Sequence, residues 1–238
     1  MSCPGGFGEL NIPSSRAFWD DCEEDEFENI KPAEKLKLQF DAEGDAQELP
    51  VESELFVLIE GPQISEFCNN ALLTGLKHIC GIPSKKSALH WNAAKGQLVA
   101  SLEEDLSNSG EITELLLPYA QLAKKVLTIT IKPKVEYKSE EIDRFSDDVS
   151  IVCRIGGNKS DRDVVKLEEP NFIAGVTAGI ASWRHQLDLP ISSYVIYTDK
   201  LPLDAVAAQA VLQLLQKLGV TCSERYVPSS KDSSYLYT

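Results

Sequence analysis

Glu54-Leu55-Phe56-Val57-Leu58-Ile59-Glu60-Gly61, followed by Pro62, decides how the rest of the chain is read. The run is apolar without alternation and is closed by Gly-Pro. That pattern suits a central strand buried on both faces, which needs layers above and below it. Working outward, residues 35–40 (KLKLQF) alternate, placing Leu36, Leu38 and Phe40 on one face of a half-buried strand. Residues 43–47 (EGDAQ) form a turn between the two. On the far side, Ile64 to Ile79 repeats apolar residues at three- and four-residue steps and predicts a helix stopped by Gly81-Ile82-Pro83.

The pattern then alternates between classes. SALHWNA and QLVASLE, separated by Ala94-Lys95-Gly96, predict a hairpin. Glu111 to Lys125 predicts a helix with a kink at Pro118. Val126 to Lys132 is a strand rich in β-branched residues. VSIVCRI is a strand and GGNKSDRD a loop. Phe172 to Leu187 predicts a helix capped by Asn171. Ser193 to Asp199 is a buried strand, and Pro202 to Leu218 a helix with Gly219 past its end. Strands alternating with helices argue for an α/β layered sandwich: a mixed, largely parallel sheet flanked by helices.

Charge divides the chain. The net charge is −14, of which residues 1–50 carry −9 with 13 acids and 4 bases. Asp20 to Glu28 (DDCEEDEFE) holds seven acids and no base, with Phe18, Trp19 and Phe27 in or beside it. Like charges at this density resist compaction. Residues 1–32 are therefore expected to be a disordered acidic segment, serving as a solvating tail or a docking peptide. The α/β domain is expected at 33–226, and a flexible C-terminal tail at 227–238. A chain this acidic repels nucleic acid and anionic membrane surfaces. It also lacks the long apolar run of a membrane span and the pattern of a signal peptide. The cytosol is the expected compartment, with the nucleus as a further one. Six scattered cysteines without a C-x-x-C pair read as free thiols.

Catalytic patterns are missing. Gly156-Gly157-Asn158-Lys159-Ser160 lacks the spacing of a phosphate loop. His78, His90 and His185 stand apart in sequence with no partner spaced for a metal, and no nucleophile elbow appears. No cofactor, metal or catalytic residue is expected. The rival is an enzyme on an α/β fold acting on a nucleoside or a phosphorylated small molecule, which requires residues gathered from distant segments. A generic adaptor using the acidic segment is a further reading.

The ending KDSSYLYT places Leu236 and Tyr237 on a polar spacer, where apolar groups gain little unless they are buried. Either Tyr235 or Leu236 folds back onto the body, or a partner captures the C-terminal carboxylate. The C-terminal half resembles the proteasome assembly chaperone 1 family through LEEPN, Leu167 to Asn171, through the strand ending YTD, Tyr197 to Asp199, and through the terminal Tyr-Thr. FGE, Phe7 to Glu9, ahead of the acidic stretch also fits. The resemblance implies a non-enzymatic α/β sandwich that pairs with proteasome assembly chaperone 2. The pair would bind core proteasome α-subunits, promote correct α-ring formation and discourage off-pathway association. It further implies that Leu236, Tyr237 and Thr238 form a hydrophobic-tyrosine-any-residue motif inserting between neighbouring α-subunits.

Overall fold

A computed structural model describes residues 35–40, 52–139, 145, 147–156 and 164–229. The expected acidic segment 1–32, the turn at 43–47, most of the GGNKSDRD loop and the residues Leu236, Tyr237 and Thr238 lie outside them. The described residues from Leu36 onward belong to one unit.

The strand predicted from Glu54 to Gly61 is β2 (Ser53–Gly61). It lies between two parallel neighbours, β5 (Gln97–Glu103) and β6 (Ala123–Pro133). Its side chains alternate between two cores. Val57 and Ile59 join one, Phe56 and Leu58 the other, and all four are fully buried. A residue exposed to neither solvent nor a polar layer must be apolar on both faces, which explains the unbroken run. The remaining strands are β1 (Gln39–Phe40), β3 (Lys77–Ile82), β4 (Ser87–Asn92), β7 (Ser150–Ile155), β8 (Val165–Lys166) and β9 (Ile191–Thr198). The described residues form one nine-stranded sheet of order β1-β3-β4-β5-β2-β6-β9-β7-β8. The four central strands β5, β2, β6 and β9 run parallel. The β1, β3 and β4 strands pair antiparallel at one side, and β7 runs antiparallel to β9 at the other. The α/β sandwich with a mixed sheet is the observed fold.

Among the described residues the α-helical segments are α1 (Ser65–Phe67), α2 (Ser109–Leu122), α3 (Val176–Gln186) and α4 (Ala205–Lys217). One face of the sheet is covered by α2 and α3. The other is covered by α4, by α1 with the π-turn Cys68–Leu72, and by Val220 and Tyr226. Asp204 caps α4, accepting from the N–H groups of Val206 (3.0 Å) and Ala207 (2.8 Å). Gly219, at φ +75°, follows its end as expected.

Several boundaries depart from the sequence reading. The helix predicted from Ile64 to Ile79 stops at Leu72. Gly75 turns the chain at φ +77°, and residues from Lys77, including His78 and Ile79, form β3. Gly81 and Ile82 thus lie in a strand rather than ending a helix. Helix α2 ends at Leu122 and contains Pro118, while Ala123 to Lys125 already belong to β6. Helix α3 begins at Val176, not Phe172, and Asn171 does not cap it. Pro202 precedes α4, which Asp204 opens instead. Phe40 is 51% exposed, so only Leu36 and Leu38 of its alternating set pack on the core. All four described cysteines, Cys68, Cys80, Cys153 and Cys222, are free.

Candidate protein interaction site at the carboxyl end of the sheet

The segments LEEPN and YTD, separated by 25 residues, meet beside the carboxyl ends of β6 and β9. Leu167 N–H donates to the Arg154 carbonyl (2.8 Å), so LEEPN continues from β8 alongside β7. Its side chain packs with the cluster of Tyr137, Ile151, Cys153, Val195 and Tyr197. Asn171 then acts as a clamp. Its Oδ1 accepts from Lys138 N–H (2.9 Å), and its Nδ2 donates to the carbonyls of Lys138 (2.6 Å) and Glu168 (2.8 Å). The amide thus imitates a strand partner for residue 138, which is why it is not free to cap α3. Tyr197 is buried, its ring centroid 5.0 Å from that of Tyr137. Burial, with Cys153 and Glu136 nearby, pushes its phenol up to about 12. Asp199 N–H donates to the Val149 carbonyl (3.1 Å), and its carboxylate lies 3.4 Å from Lys134 Nζ.

These contacts shape a cleft of about 210 Å³ lined by Lys132, Glu136, Lys138, Pro170, Asn171, Phe172 and Tyr197. Phe172 stands 69% exposed at its edge, with Lys132 Nζ 5.2 Å from the ring centroid. Lys132 also pairs with Glu136 at 2.9 Å. Nearby in sequence, Val135 is 90% exposed. An exposed aromatic ring beside a cation at the edge of a cleft is an ingredient of a protein contact.

A few residues away the same end of the sheet is closed by the chain itself. Glu60, at the end of β2, is 1% exposed. Its carboxylate accepts from Val176 N–H (3.0 Å), Thr177 N–H (2.8 Å) and the Thr177 hydroxyl (2.7 Å). Crevices at the carboxyl ends of parallel strands, with a helix N-terminus facing them, are where α/β enzymes hold phosphorylated ligands. Here that helix N-terminus is filled by an internal carboxylate. Gly175 allows the approach: it sits at φ +88°, and a Cβ there would lie 2.4 Å from Glu60 Oε1. Glu104, which follows β5, is pushed up by burial and by the Glu60 and Glu136 charges, with Lys132 opposing. This is an acidic setting, unfavourable to a second anion.

The second buried charge is equally occupied. Arg184 on α3 is 1% exposed and donates to the carbonyls of Ala120 (2.6 Å), Ala123 (2.9 Å), Lys124 (3.3 Å) and Pro190 (2.9 Å). It satisfies the open carbonyls at the end of α2 and so fixes α3 against it. The histidines, separate in sequence, are partly brought together. His78 and His90 face each other across β3 and β4, ring centroids 5.0 Å apart. Among the described residues no three His, Cys, Asp or Glu side chains gather as a metal site, and no helix is long and apolar enough to cross a membrane.

The chain beyond α4 runs back over α1 and the π-turn. Ser223 N–H donates to the Ala71 carbonyl (2.7 Å). The Tyr226 ring packs edge-on to Phe67 at 5.3 Å, and Ser229 N–H donates to Glu66 Oε1 (2.6 Å). The candidate tail residues follow this docked stretch.

No family model matches the chain. A 66-residue stretch is 30% identical to mouse proteasome assembly chaperone 1; the match covers 28% of this chain and 23% of that protein. Among solved structures, Pyrococcus furiosus PbaA, described as an archaeal homolog of proteasome-assembly chaperone, superposes with a TM-score of 0.51 at 16% identity, covering 80% of this chain and 84% of PbaA. PbaB of the same organism, described as an archaeal proteasome activator, gives 0.51 at 12% identity, covering 79% and 91%. At these identities the structures establish a shared fold.

Proposed function

We propose that the chain is a non-enzymatic proteasome assembly chaperone of the cytosol. In this reading it pairs with proteasome assembly chaperone 2, and the pair holds core proteasome α-subunits during ring formation. The observation that carries the reading is the meeting of LEEPN and YTD, the segments behind the family resemblance, around one exposed cleft. The 66-residue match to the mouse chaperone supports it. The internal closure of the Glu60 crevice weighs against the enzyme alternative.

Leu236, Tyr237 and Thr238 are proposed to insert between neighbouring α-subunits. Leu236 fills an apolar recess, Tyr237 packs on the pocket wall, and the carboxylate of Thr238 meets a lysine. Burial of Leu236 contributes about 1.5–3 kcal/mol, and a charge-assisted bond to the carboxylate about 1.5–3 kcal/mol. Ordering three residues costs roughly 1–2 kcal/mol each. The tail alone therefore binds weakly, and firm attachment requires the folded body and the partner's own contacts, acting through effective concentration.

The test is capture of α-subunits by the full chain with its partner. One residue added after Thr238 moves the charge by about 3.5 Å, and binding is expected to fall with the fold unchanged. Tyr237→Ala acts likewise, and Thr238→Ser is nearly silent. Equal capture by the extended chain removes the tail from the mechanism, and absence of α-subunit capture by the native chain removes the function.

A further inference from the structure

The C-terminal stretch is held to the body by two fasteners of different kinds. Tyr226 is 4% exposed, its ring on Phe67 in the apolar core. Three residues on, Ser229 is exposed and held by polar contacts alone among those described: its N–H and its hydroxyl both donate to Oε1 of Glu66. Between them Val227 is 78% exposed. The outer fastener therefore combines an accessible nucleophile, an extended backbone after Pro228 and a carboxylate placed directly against the nucleophile. Asp232 stands three residues beyond Ser229, supplying the acid that acid-directed serine kinases read.

We propose that Ser229 is a phosphorylation site and that a phosphate there unfastens residues 227–229 from Glu66. The Ser229 oxygen attacks the γ-phosphorus of a magnesium-bound nucleoside triphosphate. The new O–P bond replaces the bond to the bridging oxygen, the nucleoside diphosphate leaves, and the hydroxyl proton passes to the kinase's base. The product has lost the donor that bonded to Glu66. In its place it sets a charge of about −1.5 to −2 against a carboxylate, which repels it. Tyr226 stays buried, so the body does not open.

The consequence is a change in tether length. Nine residues lead from Ser229 to Thr238, and twelve lead from Tyr226. At about 3.5 Å per extended residue, the reach grows from roughly 30 Å to roughly 40 Å, altering the effective concentration of any group the tail carries. This consequence rests on the tail reading above, but the site itself does not.

The full-length protein is incubated with magnesium ATP and an acid-directed casein-kinase-type enzyme, beside a Ser-x-x-Asp reference peptide. The phosphate is placed by mass spectrometry, and trypsin cleavage after Arg225 is timed. Phosphate on Ser229, its loss in Ser229→Ala, and several-fold faster cleavage after Arg225 are expected. Phosphorylated Glu66→Gln protein should be cleaved at the unmodified rate, because the repelling charge is gone. Phosphate confined to Ser230, no phosphate while the peptide is converted, or cleavage indifferent to Ser229 phosphate overturns the proposal. Neither readout involves α-subunits, so its failure is separate from failure of the tail reading.

Discussion

The Glu60 crevice and the Phe172 cleft lie at the same end of one sheet and are built in opposite ways. In the crevice a buried carboxylate meets the N-terminus of α3, and every partner comes from the chain itself. In the cleft a cation and a mostly exposed ring face outward over a floor fixed by Asn171 and Tyr197. The difference teaches where this molecule is finished and where it is open. A buried charge without partners costs several kcal/mol, so a closed crevice has structural value and no spare capacity for a ligand. An exposed aromatic ring over a cation contributes little to folding, so it can be changed at little structural cost.

The comparison breaks most readily at the buried charges. Arg184→Met keeps the bulk but abandons four carbonyls, three of them at or just past the end of α2. Destabilisation of about 3 kcal/mol or more is expected, read by denaturant unfolding. A change under about 0.5 kcal/mol would show that the guanidinium is not the fastener between α2 and α3. Glu60→Gln keeps the shape of the crevice and removes the charge facing the helix N-terminus. A loss of about 1.5–3 kcal/mol is expected, with no gain of binding to phosphorylated small molecules. Tight nucleotide binding by this variant would revive the enzyme reading.

A smaller effect is expected at Asp204. Its carboxyl is held below the usual range, first by the Ala207 N–H and then by Lys200 and Val206. A group depressed in the folded state stabilises above its unfolded pKa of about 3.9, and that contribution is lost as pH falls through the lower folded value. Asp204→Ala should cost about 1 kcal/mol at neutral pH, and the gap between variant and wild type should narrow as the pH is lowered below about 4. A gap that widens in acid would contradict the cap. The smallest stability effect belongs to Phe172→Ala, within about 0.5 kcal/mol.

Much of this contrast was legible in residues. The apolar run at 55–59 gave away β2 because burial on two faces leaves little room for polar side chains, and the β-branched residues of 126–132 revealed the core of β6. The hairpin of β4 and β5 was legible from its Ala-Lys-Gly turn. The prediction failed where one residue outweighed a period. Gly75 at φ +77° cut a sixteen-residue helical pattern in half and returned His78 to a strand. Asn171 looked like a cap because caps are local, whereas its partners at Lys138 lie 33 residues away. Glu60 and Arg184 carried a signal that went unread. Each is a charge at a position that its own apolar pattern assigns to the interior: the end of the buried β2 run, and four residues after Ile180 on α3. The tail motif was legible in sequence and lies outside the described residues.

The central claim is that the exposed cleft, not the closed crevice, meets the partner. It is tested most directly by the affinity of Phe172→Ala for α-subunits, measured by calorimetry in the presence of proteasome assembly chaperone 2, with thermal unfolding recorded on the same sample. The account predicts binding weaker by about tenfold, equivalent to about 1.4 kcal/mol, at an unchanged melting temperature. Native affinity in the Phe172→Ala protein, at that same unchanged melting temperature, would contradict it.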